Sequence, residues 1–235
     1  MVAAAIAAAA AGAGGTAAAL GPSSPSHVAS IGTAGRTQAA LEITSGTPVL
    51  DISAARLGGT LLRVSTPGSA PVRPVLSGSR PIRLSLVGTA PMPGSGRGTG
   101  YAVRVVLNSA ITWTIDLAGG TEQTDVDLRG GKVSGIAETA GCDILDVSLP
   151  APAGTVPFLL AGGASQFLLS LPDGVPAQVV AGGGAGDLTL DGQSLTGVAG
   201  GTVLTTPGWA AATSRFAIDA TAGVSRLIVG RWGGS

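Results

Sequence analysis

The chain has 235 residues, 45% of them apolar and 11% charged, which excludes a disordered polyelectrolyte and supplies side chains for a sizeable core. Gly (39) and Pro (15) are abundant but show no three-residue period, so collagen is excluded and a turn-dense all-β chain is favoured. The net charge of zero conceals an asymmetry: residues 1–110 carry eight Arg against Glu42 and Asp51, while 111–235 carry five basic against eleven acidic residues. The arginines are dispersed, with Tyr101 as the one aromatic among them, so a basic stripe with stacking residues for nucleic acid is absent.

Residues 1–20 are almost entirely Ala, Gly and Val, closed by Ala17-Ala18-Ala19 and a Gly/Pro/Ser break. This pattern reads as a signal peptide, or as an anchor-like segment giving membrane association through the N-terminus, though a basic start is missing. Residues 21–40 read as a Ser/Pro/Gly linker containing the chain's single histidine, His27, a placement that speaks against catalysis.

From 41 to 117 an N-terminal β region is expected, with short strands at 41–43, 49–52, 60–65, 72–76, 82–87, 101–107 and 111–117. Thr112-Trp113-Thr114-Ile115-Asp116-Leu117 alternates strictly, as a strand with one covered face does. Pro67-Gly68 and the stretch from Pro91 to Gly100 punctuate the region as turns or loops.

From 118 to 235 a repeat takes over. Gly120, Gly141, Gly163 and Gly184 are 21, 22 and 21 residues apart. The fourth residue after each is Thr124, Leu145, Phe167 and Leu188, and the sixth is Val126, Val147, Leu169 and Leu190. Self-similarity at this period is the mark of stacked rungs, each touching only its neighbours. The expected fold is therefore all-β: a right-handed parallel β-helix (solenoid) with rungs of about 21 residues, preceded by an irregular N-terminal β cap. With rungs ~4.8 Å apart, columns four, six and eight face inward and five and seven outward. Residues 193–215 read as an irregular insert, after which Ala222-Gly223-Val224 restores the pattern 39 residues beyond Gly184, close to two rungs on.

The stretch Leu145–Trp232 carries Leu-Pro ends, Gly-Gly corners, the run Gly184-Ala185-Gly186-Asp187-Leu188-Thr189-Leu190-Asp191-Gly192, and Ala222-Gly223-Val224. It resembles the toast-rack and adhesin-like β-solenoid domains of bacterial envelope proteins, and is similar to the C-terminal domains of cell-wall-active-antibiotic response regulators. The resemblance implies a non-enzymatic, envelope-associated module, and the partner expected for it is an unidentified envelope protein or glycan. It carries over no active-site residues. Those regulators place several transmembrane helices before the domain, where this chain offers one candidate segment.

One cluster suggests chemistry. Asp125 and Asp127 occupy outward columns of one rung, ~7 Å apart, and Asp146 lies beside Asp125 in the next. Such carboxylates suit a calcium ion or a pair for glycoside hydrolysis, while Arg129 and Lys132 stand ready to neutralise them. Asp187 and Asp191 read as corner residues accepting backbone hydrogen bonds. Cys142, in a column of small residues, reads as structural. With one His and one Cys, Ser/His/Asp catalysis and zinc sites lack their parts, and Gly182–Gly186 lacks the Lys-Ser/Thr of a phosphate loop. The expected function is that of an exported envelope or extracellular protein, structural, adhesive or surface-recognising, with no cofactor. Two alternatives stand beside it: a polysaccharide-active enzyme on the acidic face, and an envelope-stress module acting through protein contacts.

Overall fold

The computed structural model describes residues 25–89 and 100–233. The segment read as signal peptide or anchor lies outside the described residues. The described residues form nineteen strands and no helix. In chain order these are β1 (Pro25–Gly32), β2 (Gln38–Ile43), β3 (Thr47–Ala55), β4 (Thr60–Pro67), β5 (Val72–Ser77), β6 (Ile82–Gly88), β7 (Ala102–Asn108), β8 (Thr112–Leu117), β9 (Thr121–Asp127) and β10 (Lys132–Glu138). They continue as β11 (Cys142–Ser148), β12 (Thr155–Leu160), β13 (Ala164–Pro172), β14 (Ala177–Ala181), β15 (Ala185–Leu190), β16 (Gln193–Val198), β17 (Thr202–Thr205), β18 (Arg215–Ala220) and β19 (Val224–Trp232).

Two mixed sheets hold all of them. The first runs β1-β4-β7-β3-β9-β11-β13-β19-β15-β16 and the second β17-β14-β18-β12-β10-β8-β2-β6-β5. Their middles are parallel: β7 through β15 in the first sheet and β14 through β6 in the second. The ends are antiparallel, where β1 and β4 close one end of the first sheet and β16 the other. In the second sheet β5 and β17 do the same. The expectation of an all-β chain holds, but the sheets are mixed, where the sequence reading had a parallel stack.

Strands of the two sheets combine as layers, and six layers turn from the second sheet into the first through a three-residue arc. The layers stack in the order β6/β7, β2/β3, β8/β9, β10/β11, β12/β13, β18/β19, β14/β15. The stacking departs from chain order at both ends: β6/β7 follows β2/β3 in the chain yet lies outside it, and β18/β19 enters between β12/β13 and β14/β15. Gly223 is one layer from Gly163 rather than two rungs beyond Gly184. Residues 193–215, expected as an irregular insert, supply β16 and β17, the antiparallel strands that stop the parallel pairing. Residues 25–32, expected as linker, form β1 against β4. Strand pairing runs across residues 117/118, where β8 pairs with β10 and β3 with β9.

In-register pairing turns each inward position into a column. On the first sheet Val105, Ile52, Val126, Val147, Leu169, Val229 and Leu190 stack in one buried row, and Val103, Leu50, Thr124, Leu145, Phe167, Leu227 and Leu188 in another. Thr124 is the polar exception, and its hydroxyl is bonded to that of Thr121 at 2.6 Å. The second sheet answers with Ile82, Leu41, Ile115, Ile136, Phe158, Ile218 and Val179. Phe158 and Phe167 meet between the sheets with ring centroids 4.8 Å apart. Burial of each such side chain is worth about 1.5–3 kcal/mol.

The arcs alternate in composition down the stack. Thr44-Ser45-Gly46, Thr139-Ala140-Gly141 and Thr221-Ala222-Gly223 alternate with Ala118-Gly119-Gly120, Ala161-Gly162-Gly163 and Gly182-Gly183-Gly184. In the first kind the threonine hydroxyl donates to a carbonyl of the preceding layer: Thr44 to Leu84, Thr139 to Leu117 and Thr221 to Leu160. In the second kind the central glycine lies against neighbouring backbone, and a Cβ on Gly162 would sit 2.1 Å from the Gly141 nitrogen. The arcs therefore close only because the two compositions interleave.

Candidate functional site

The parallel register of β3, β9 and β11 aligns Asp51, Asp125 and Asp146 in one outward row of the first sheet. Arg104 on β7 precedes Asp51 in that row and donates from Nε to its Oδ2 at 3.2 Å. After Asp146 the row turns apolar with Leu168 and Ile228. Asp127 lies one outward row over, between Ser53 and Ser148. The structure thus gathers Asp125, Asp127 and Asp146 on one face, as their columns demand.

Their environments differ. Asp127 accepts from Arg129 Nε at 2.9 Å, Nη2 at 2.6 Å and the backbone N–H at 3.2 Å, so a turn arginine two residues away already neutralises it. The Arg129 guanidinium holds the Asp127 carboxyl below its ordinary value. Asp125 is pushed up by partial burial first, then by Asp146, Asp51 and Asp127, with Arg129 pulling the other way. Asp146 is raised by burial. Like charges directly opposite in adjacent strands repel, which disfavours the doubly ionised row. Lys132 begins β10 on the second sheet and makes no ion pair with these carboxylates. Among the described residues no group of three or more His, Cys, Asp or Glu is placed to hold a metal ion together. The face offers carboxylates in a line rather than donors around a point.

Two other aspartates have arginine partners. Asp191 occupies a turn with φ of 49° and receives Arg231 through Nε at 2.7 Å and Nη2 at 2.6 Å. Asp187 lies within β15, 4.0 Å from Arg226. The expectation that both serve as corners accepting backbone hydrogen bonds is corrected: each faces an arginine of β19, and Asp187 is on a strand.

Sequence reasoning missed Glu138. It sits in the inward row between Leu117 and Leu160 and is 2% exposed. Its carboxylate accepts from the N–H groups of Ala140 at 3.1 Å and Gly141 at 2.5 Å, tying down the arc that follows. Burial raises its pKa, those two hydrogen bonds oppose the rise, and Asp116 adds to it. The signal was the acidic residue in a row that is otherwise Leu, Ile or Ala, but a register shift between Val133 and Gly135 hides the row from simple alternation. Cys142 follows this arc, half-buried, and burial, Glu138 and Asp143 push its thiol up to about 12, so it stays protonated and unreactive. His27 lies on edge strand β1 rather than in a linker.

No family model matches the chain, and no curated protein matches it by sequence. Among solved structures, it is similar to that of a Clostridium sporogenes protein provisionally described as a cell adhesion protein. The two share 16% identity at a TM-score of 0.63, over 88% of this chain and 98% of the other. At that identity the likeness is one of fold.

Proposed function

We propose that this protein is an exported, non-enzymatic element of the bacterial envelope, adhesive or surface-recognising, whose parallel layers form a right-handed β-solenoid of the toast-rack kind. The observation that carries this reading is the fold shared over 98% of the length of a protein provisionally described as a cell adhesion protein. The outward faces fit the role: in-register parallel strands set short side chains in straight rows at a repeat of ~4.8 Å, a regular surface suited to many weak lateral contacts. The antiparallel end strands close the parallel stack at both ends of each sheet.

The test has two arms. The full chain, tagged at its C-terminus, is expressed in a bacterial host and intact cells are treated with protease. Loss of the tag from intact cells is expected, and retention inside them overturns export. Beads coated with the purified full chain are then presented to envelope fractions. Capture above albumin-coated beads is expected, and equal capture overturns adhesion.

A further inference from the structure

The part of the chain that forms β1, β4, β5, β6 and β7 has a surplus of arginine over acidic side chains. Residues 1–115 contain two acidic side chains, Glu42 and Asp51, and both are engaged: Glu42 by Arg83 Nε at 2.9 Å and Asp51 by Arg104 Nε at 3.2 Å. From residue 52 to residue 115 there are seven arginines and no Asp or Glu. Asp116, the next acidic residue, accepts from the Thr139 hydroxyl at 3.1 Å.

Two of the remaining arginines face one depression. The β1–β2 turn supplies Ala34, Gly35, Arg36, Thr37 and Gln38, and the β5–β6 connection supplies Arg80; together they line a hollow of about 300 Å³. Arg36 is mostly buried, and its Nη1 is fully buried with no hydrogen-bond partner in the protein. A buried guanidinium nitrogen without an acceptor costs about 1–3 kcal/mol or more. The turn is held in an unfavourable conformation: Ala34 has φ of 47°, followed by Gly35 at 73°. A side chain bearing Cβ adopts that region at a cost of about 1–2 kcal/mol, and here it delivers Arg36 to the hollow beside Arg80. Like charges brought together in a partly closed space call for an anion between them.

We propose that this hollow binds a small oxyanion: a carboxylate, sulfate or phosphate group, free or carried on a single acidic sugar. Arg36 supplies a partly buried guanidinium and Arg80 an exposed one, and guanidinium groups match the paired oxygens of such anions in geometry as well as charge. The site is independent of the adhesive reading, since a free anion binds wherever the protein resides.

The experiment is titration of the full chain with sodium sulfate, sodium phosphate and sodium glucuronate, followed by NMR amide shifts and by melting. Sodium chloride at matched ionic strength and neutral glucose serve as controls. Saturable shifts confined to residues 33–38 and 78–82, with a melting increase above the chloride control, are expected. Arg80→Gln, an exposed change, should weaken binding about tenfold, and Arg36→Gln should weaken it further if that variant folds. Preference for glucuronate over the inorganic ions would identify a sugar acid as the source, and the reverse a free anion. Absence of saturation by all three, or saturation left unchanged by Arg80→Gln, overturns the site.

Discussion

At the scale of single residues, burial and partnership decide which polar groups matter. Glu138 lies in an apolar row because its carboxylate serves two arc N–H groups that have no other acceptor. Glu138→Ala should cost about 1–3 kcal/mol, because two arc N–H groups lose their acceptor, whereas Glu138→Gln retains an acceptor and should melt close to the parent. Equal losses in both variants would mean that side-chain packing, not hydrogen bonding, holds the arc. The inward and outward assignment has its own pair of variants. Leu169 is buried in the core row and Ser170 faces out, so Leu169→Asp should abolish folding while Ser170→Asp leaves soluble yield and melting nearly unchanged.

The pH response also belongs to this scale. Asp125, Asp146 and Glu138 have folded pKa values above their ordinary values of 3.8, 3.8 and 4.5. Their contribution to stability is complete below those values and is lost as pH rises through the folded pKa. Asp127 has the opposite sign: its folded value is lowered, so its contribution is present above 3.8 and is lost as pH falls through that lowered value. In the window between neutral pH and the ordinary carboxylate values, acidification protonates these raised groups and should raise the melting temperature. Melting followed by circular dichroism should show that rise in the parent and a flatter profile in the Asp125→Asn/Asp146→Asn double variant. A melting temperature that falls across the window would refute the assignment.

At the scale of elements, the arcs make the sharpest contrast. A Cβ at Gly162 would clash with the backbone of the neighbouring arc, while one at Gly120 would come no nearer than 3.6 Å, to the Gly141 carbonyl oxygen. Gly162→Ala should therefore cost about 1–3 kcal/mol or more, and Gly120→Ala little. Thermal melting of the two variants checks the contrast: equal losses would mean that the arcs do not interleave tightly. Much of this level was legible in the sequence. All seven runs expected between 41 and 117 lie on strands β2 to β8, because alternation and turn chemistry are local signals. Strand β1 was not legible, since Pro25-Ser26-His27 carries linker composition and its pairing with β4 is a tertiary event. The acidic row was legible from column arithmetic, but the capture of Asp127 by Arg129 depends on a turn geometry that spacing alone does not fix. The hollow at Arg36 and Arg80 joins two turns far apart in the chain, and no periodicity points to it.

At the scale of the whole molecule, stacking order was the feature that sequence could not give. A period of about 21 residues reports that layers exist, yet every layer presents the same kind of inward row, so the pattern is indifferent to which layer is whose neighbour. The physical result is that β18 and β19, last in the chain, are internal in both sheets. Ending the chain at Ser214 should remove a layer from the middle of the stack and abolish cooperative unfolding, where a stack in chain order would merely lose its last layer. A truncated chain that still melts sharply would overturn that inference.

The same placement gives the molecule a direction under load. Strand β19 is held by parallel ladders to β13 on one side and β15 on the other, and Trp232 and Arg231 add bonds to Leu149, Val175 and Asp191. Tension applied at the C-terminus must shear two ladders at once. Tension applied at β1 meets a single antiparallel ladder at the sheet edge, which can be peeled one bond at a time. Held by its C-terminal end, the protein is a strong link; held by its N-terminal end, it is a mechanical fuse.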